Sequence, residues 1–157
     1  AALPERGRVL PIGKGRVIEE GSDVAILSFG AHLFECQVAA DMLVEEGISV
    51  TIADARFAKP LDTDLLMQLV RHHRALITVE QGATGGFGAI VMHELAARGA
   101  FDRGLAIRNI CLPDRYIDQA SPAQMYEDAG MTAGDIAGVI RQVAVPGAGR
   151  VVPLRGV

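Results

Sequence analysis

Residues 23–30 read DVAILSFG, and this stretch decides the fold. Its apolar run is almost unbroken and rich in β-branched residues, a pattern typical of a strand that is covered on both faces. Two further runs have the same character, ISVTIADARF at 48–57 and ALITVEQG at 75–82. Strands of this kind occur in parallel sheets with helices packed above and below them. The sequence therefore predicts an α/β domain.

Helical patterns alternate with these strands, and a fourth buried run, LAIRNICLP, lies at 105–113. Each helix is predicted from apolar positions at helical spacing or from capping residues at its start. These helices are expected at 32–46, from Asp62 to about Arg71, at about 87–98, after Ser121 and after Thr132.

The short, half-polar run GRVIEEG at 15–21 predicts one more strand. Only Ser22 and Asp23 link it to the next strand, and so short a link permits only an antiparallel pairing of the two, because a parallel crossover requires a dozen or more residues. We therefore predict a three-layer α/β/α domain built on a five-stranded mixed sheet with one antiparallel edge strand.

The composition narrows the class of protein. The chain has 157 residues, of which 50% are hydrophobic and 22% charged, which suits one globular domain. A formal net charge of −4 gives no basic footprint for nucleic acid. No apolar run approaches the roughly 20 residues that span a bilayer, so no membrane partner is expected. Cys36 and Cys111 match no CxxC pattern and are predicted to be free thiols in a reducing compartment.

The two ends of the chain differ in composition from its middle. Residues 1–14 are rich in Pro, Gly and Arg and lack an initiator Met, so we expect a linker that enters from upstream domains. Residues 15–144 form the predicted domain. Residues 145–157 are rich in Pro and Gly and aperiodic, and we expect a C-terminal tail.

The stretch DARFAKPLD at 54–62 is the densest group of charged candidates. Asp54 and Arg56 are predicted to alternate along one face of a strand at its carboxyl end, where open α/β sheets usually bind ligands. Lys59 follows and precedes a proline, which favours an extended backbone there. These residues could bind an anion, form a salt-bridged corner or contact another subunit.

The stretch GATGGFG at 82–88 lies between a predicted strand and a helix, where backbone N–H groups could hold a phosphate. Gly85 and Gly86 lie at its centre. The spacing matches neither GxGxxG nor GxxxxGK[ST], and the glycines could instead allow close packing and a positive φ. Glu80 ends the preceding strand, and a buried carboxylate there requires a partner. It could be a general base, or it could hydrogen-bond between elements or subunits.

The four histidines suggest no chemistry. His72 and His73 are predicted to be a solvated, basic helix end, which the helix dipole favours, while His32 and His93 each stand alone on a predicted helix. No Ser–His–Asp set, carboxylate pair or metal-ligand spacing is evident, so no catalytic, cofactor-binding or metal-binding residue is predicted.

Three segments occur in order along the chain: DARFAKPLD, ITVEQGATGGFG and CLPDRYIDQASPAQMYEDAG. Together they resemble the C-terminal domain of the 1-deoxy-D-xylulose 5-phosphate synthase family, transketolase-like enzymes that depend on thiamine diphosphate. The likeness extends from about Leu10 to Val143. The first two segments are shared among transketolase-like and E1-type domains, whereas the third is more specific to the synthases.

The resemblance implies a function for the intact enzyme and a supporting role for this domain. The family condenses pyruvate with glyceraldehyde 3-phosphate, with decarboxylation, in the bacterial cytoplasm. Its thiamine diphosphate and Mg²⁺ lie in the N-terminal and central domains, and the GDG motif of that site is missing here. We therefore expect a non-catalytic domain that binds no cofactor itself, packs against those two domains and supports a homodimer. The alternatives are the matching domain of a transketolase or E1 β subunit, and a free-standing anion- or nucleotide-binding domain.

Overall fold

The computed structural model describes residue 7 and residues 9–144. Its strands are β1 (Arg16–Glu19), β2 (Val24–Phe29), β3 (Val50–Asp54), β4 (Ala75–Glu80) and β5 (Ala106–Ile110). Its helices are α1 (Leu33–Val44), α2 (Thr63–His72), α3 (Phe87–Ala97), α4 (Pro122–Ala129) and α5 (Ala133–Ala144), with a 3₁₀ turn at Ala100–Arg103. The predicted order of strands and helices is confirmed. The tail predicted from residue 145 lies outside the described residues, and none of the helices within them has the length and apolar character to cross a bilayer.

The five strands form one mixed sheet in the order β1-β3-β2-β4-β5. Strands β2 to β5 are mutually parallel, and β1 runs antiparallel at one edge. Strand β2 is central, since Val24 pairs with Val50 on one side and with Ala75 on the other. The five-stranded mixed sheet with one antiparallel edge strand is therefore confirmed.

The neighbour of the edge strand differs from the prediction. Strand β1 pairs with β3, with Arg16 opposite Asp54, and not with β2 as the short link suggested. Strand β2 is apolar on both faces and has β3 and β4 along its two edges, so no edge remains for β1. The link between β1 and β2 still reverses the chain direction, but it must also cross β3, which lies between those two strands in the sheet.

Side chains of the central strand point alternately into two separate cores. Val24 and Ile26 belong to a cluster with α1 and α5, whereas Ala25 and Leu27 belong to a cluster with α2 and α3. Two helices therefore cover each face of the sheet, which confirms the three-layer α/β/α architecture.

Both cysteines are free thiols, as predicted. Cys36 lies in the first core and is fully buried. Burial raises the pKa of its thiol to about 12, because the thiolate would lose its hydration there. Cys36 is therefore a packing residue and not a nucleophile.

Helix α2 begins at the predicted capping residue. The carboxylate of Asp62 accepts hydrogen bonds from the backbone N–H groups of Leu65 (3.2 Å) and Gly15 (3.1 Å). It also pairs with the ammonium group of Lys14 at 3.3 Å. Burial opposes its ionisation, but these N–H groups and Lys14 together hold the pKa of Asp62 below its usual value. Asp62 thus attaches Lys14 and Gly15, which precede β1, to the start of α2.

Replacing Asp62 by Asn should destabilise the domain by about 1–2 kcal/mol at neutral pH, because the amide has one oxygen where the carboxylate uses two. Since the folded pKa is lowered, this stabilisation is present above the unfolded pKa of about 3.9 and is lost as pH falls through the folded pKa. Urea unfolding of both proteins at several pH values should give stabilities that converge in acid. Asp64→Asn, an exposed change on the same helix, should have little effect, and a pH-independent loss at Asp62 would contradict the account.

Candidate functional site

The charged and glycine candidates all lie where strands leave the same edge of the sheet. Because β2 to β5 are parallel, their carboxyl ends share that edge. Asp54 ends β3 and Glu80 ends β4, and β2 lies between those two strands. The structure therefore places the candidates in two separate groups, one with Arg56 and Lys59 and one with Gly85 and Gly86.

The first group is a salt-bridged corner. Asp54 Oδ2 lies 3.1 Å from Nε of Arg16 and 3.8 Å from Nε of Arg56. Asp54 Oδ1 accepts a hydrogen bond from the Arg56 backbone N–H at 3.1 Å. Arg56 has a φ of 57°, in the left-handed region, so the strand ends at Asp54 and the predicted alternation of these two residues along a strand is wrong. Lys59 is exposed in the following loop, and an anion contact of this group stays a prediction.

The second group is organised around the buried carboxylate of Glu80. Its Oε2 accepts a hydrogen bond from the N–H of Phe87, and its Oε1 accepts one from the N–H of Gly88, both at 2.8 Å. These donors belong to the first turn of α3, where the helix dipole also favours a negative charge. The expected hydrogen bond between elements is therefore present. The N–H groups that a bound phosphate would require already have an acceptor within the domain.

The glycines of the loop after β4 permit this arrangement. A Cβ on Gly86 would lie 2.4 Å from Oε2 of Glu80, and one on Gly88 would lie 2.9 Å from Oγ1 of Thr78. Gly85 has a φ of 93°, which side-chain-bearing residues rarely adopt. Close packing and a positive φ, the alternative interpretation of this sequence, therefore account for these glycines.

An apolar groove of about 810 Å³ lies beside this loop. We call it the carboxyl-end groove, and it is lined by Ala83, Leu112, Pro113, Asp114, Arg115, Tyr116, Ile117, Pro122, Met125 and Tyr126. Tyr116 is 86% exposed. Helix α4 forms one wall, and none of its residues is fully buried, although its start has the predicted Ser121 cap within a complete capping box. The groove is thus an exposed and largely apolar part of the surface of this domain.

Hydrogen bonds join the groove to the glycine loop. The N–H of Leu112 donates to the carbonyl of Gly82 at 2.9 Å, and Nε2 of Gln81 donates to the hydroxyl of Tyr126. In the sequence, residues 111–130 were identified by their resemblance to the synthases and by a helix start after Ser121, and not as a groove. Apart from Ala83, its lining comes from positions spread over residues 112–126, of which only Pro122, Met125 and Tyr126 on α4 have helical spacing.

Two histidines have structural roles that the sequence did not indicate. His32 is buried, packs edge-on against Tyr126 at a centroid distance of 4.5 Å, and its Nε2 lies 3.1 Å from the carbonyl of Met131. His73 was predicted to be solvated, but its Nε2 lies 2.7 Å from Oγ1 of Thr51. That prediction is wrong because the partner belongs to β3, far away in sequence.

Within residue 7 and residues 9–144, no three His, Cys, Asp or Glu side chains are grouped so that they could hold a metal ion. The carboxyl-end groove is largely apolar, and one of the two charged residues in its lining, Arg115, pairs with Asp128. The fold and this groove together define the class of the protein: a three-layer α/β/α domain with an exposed, largely apolar groove at the carboxyl end of its sheet.

The family is identified by comparison with known proteins. The family model for the transketolase C-terminal domain matches residues 13–136. The chain therefore belongs to the transketolase C-terminal domain family.

Two curated relatives and one solved structure give this family assignment more detail. The chain is 65% identical over 136 residues to 1-deoxy-D-xylulose-5-phosphate synthase 2 of Jannaschia sp. (strain CCS1), and 62% identical over 134 residues to 1-deoxy-D-xylulose-5-phosphate synthase of Rhodobacter capsulatus. These matches cover 87% and 85% of this chain but 21% of each relative. A structure described as a split gene transketolase, inactive beta4 tetramer, superposes with a TM-score of 0.78 at 28% identity, over 86% of this chain and 43% of that one.

Replacing Glu80 by Gln should destabilise the domain by about 2–3 kcal/mol, because an amide cannot accept both N–H bonds and leaves a buried donor without a partner. Chemical unfolding followed by circular dichroism measures this loss. Glu94→Gln on α3 is the matched control. Glu94 pairs with Arg98 at the surface and should contribute less than about 0.5 kcal/mol. Equal losses for the two variants would contradict the role assigned to Glu80.

Proposed function

We propose that this chain is the C-terminal domain of a 1-deoxy-D-xylulose 5-phosphate synthase. The intact enzyme condenses pyruvate with glyceraldehyde 3-phosphate and releases CO₂, and its product supplies isoprenoid and thiamine precursor synthesis. The observation that carries this proposal is the identity of 65% and 62% to two synthases over most of the chain. The solved transketolase structure is 28% identical to this chain. The alternative that the chain is the matching domain of a transketolase is therefore supported less strongly.

In this proposal the chemistry belongs to other parts of the longer protein. Thiamine diphosphate, held with Mg²⁺ between the N-terminal and central domains, supplies the carbanion chemistry when it is bound. On this proposal, the described residues of this domain contribute no group to that site. The domain itself is then neither catalytic nor cofactor-binding. The synthase is a transketolase-type transferase that acts as a homodimer in the bacterial cytoplasm.

The domain's own residues provide a rigid contact surface. Glu80 holds the glycine loop in one conformation, and the loop supports the carboxyl-end groove through Gly82. Helix α4 has no fully buried residue, although Tyr126 and Ala129 pack against the first core, so a partner that covered its exposed apolar surface would stabilise it further. We propose that the N-terminal or central domain, or the second subunit, covers this groove together with the exposed loop at Gly85 and Gly86. The corner of Asp54, Arg56 and Lys59 is the polar rim of the same contact.

A domain exchange tests the proposal directly. The matching segment of the Rhodobacter capsulatus synthase would be replaced by residues 9–144 of this chain, and synthase activity would be measured with pyruvate and glyceraldehyde 3-phosphate. The chimaera should retain activity within about tenfold of its parent, because the surfaces that meet come from proteins of 62% identity. The same synthase without the segment should be inactive.

The isolated chain provides the control. Calorimetry with thiamine diphosphate and Mg²⁺ should detect no binding to it, and it should not consume pyruvate. An inactive but folded chimaera would count against the synthase assignment. Mg²⁺-dependent cofactor binding to the isolated chain at micromolar concentration would contradict the proposal that the domain itself binds no cofactor.

A further inference from the structure

A second cavity, of about 470 Å³, lies at the opposite end of the sheet, where α2 and α3 end and the 3₁₀ turn leads towards β5. We call it the basic cleft. Its size falls within the range of small-molecule sites. Its lining includes three arginines, Arg71, Arg74 and Arg98, and three apolar side chains, Met67, Val70 and Leu105.

The cleft concentrates positive charge in an acidic chain. No Asp or Glu lines it, although the whole chain has a formal net charge of −4. Arg98 pairs with Glu94 on its own helix, with Nε and Oε1 2.7 Å apart. Arg74 lies 3.8 Å from Asp23, a loose pair. Arg71 is exposed and forms no ion pair with another residue of the described part of the chain.

The helix dipoles explain only part of this arrangement. Cations are favoured at helix carboxyl ends, which accounts for Arg71 in the last turn of α2 and for Arg98 just after α3. Arg74 lies outside both helices, directly before β4, and its guanidinium donates to the carbonyl of Ala144 at the end of α5. Arg74 nevertheless lines the cleft, where the dipole of α2 or α3 alone would not place it.

Backbone geometry defines the remaining wall. The 3₁₀ turn is bounded by Gly99 and Gly104, with φ values of 64° and 75°. Both values lie in the left-handed region, which glycine adopts without strain. Asp102, on this turn, lies beside Gly99 and is the acidic group nearest to that wall.

We propose that the basic cleft binds a small phosphomonoester. The phosphoryl group pairs with Arg71 and Arg74, because guanidinium groups match phosphate oxygens in geometry and charge. The organic part of the ligand contacts Met67, Val70 and Leu105. Neither the family assignment nor the proposed synthase function assigns a ligand to this end of the domain, and the proposal stands without them.

Amide NMR titrations of the 157-residue chain at low ionic strength test the proposal with three probes. Phenyl phosphate should shift the amide signals around Arg71, Arg74, Gly99 and Gly104 and bind at submillimolar concentration. Inorganic phosphate should shift the same signals at higher concentration, because it lacks the apolar part. Phenol, which lacks the charge, should shift none of them.

Two variants assign the binding to the cleft. Arg71→Gln should weaken phenyl phosphate binding by about tenfold, the usual effect of losing one charge-assisted pair. Arg71 is exposed, so the fold should be retained. Arg141→Gln is the matched control, because Arg141 lies on α5 and pairs with Glu46 outside the cleft. It should leave the affinity unchanged.

Three results would overturn the proposal. The first is the absence of shifts with millimolar phenyl phosphate. The second is an equal loss of affinity in the two variants, which would indicate a general charge effect. The third is equal binding of inorganic phosphate and phenyl phosphate, which would indicate an anion site without an organic ligand.

Discussion

The buried carboxylate of Glu80 is the constraint on which the carboxyl-end face depends. A negative charge removed from water is costly, and here two N–H donors and the positive end of α3 stabilise it. Because its oxygens lie against the backbone of Gly82 and Gly86, the loop has little freedom to change conformation. The carbonyl of Gly82 then holds Leu112 at the point where the groove begins. The shape of the groove is thus set by a charge that is satisfied inside the domain.

The two ends of the sheet differ in the kind of surface that they leave exposed. At the carboxyl end, the carboxylates of Glu80 and Asp54 have partners within the domain, and the groove beside the glycine loop is largely apolar. Such a surface gains free energy from association and not from binding a charged ligand. At the amino end, three arginines line one cleft, and no acidic residue is in its lining. The carboxyl end is therefore suited to contact with another domain or subunit, and the amino end is suited to binding a small anion.

Features that depend on neighbouring residues could be predicted from the sequence. The caps at Asp62 and Ser121 and the buried strands β2, β3 and β4 were predicted correctly, because each rests on residues within a few positions. The prediction that 105–113 forms a buried strand is wrong, because β5 lies at the edge of the sheet and only its last residue, Ile110, is buried. The partner of β1 was not, since link length limits the direction of a strand but does not select its neighbour. The contact of His73 with Thr51 and the arginine lining of the basic cleft join segments far apart in sequence. No local pattern carries that information.

Hydrogen–deuterium exchange of α4 tests the central claim most directly, namely that the carboxyl-end groove is a contact surface in a longer protein. The backbone amides of α4 after Pro122, residues 123–129, would be compared between the isolated 157-residue chain and the same chain within the synthase chimaera. We predict slower exchange of α4 in the chimaera, with exchange around the basic cleft unchanged. Equal exchange of α4 in the two proteins would contradict the claim.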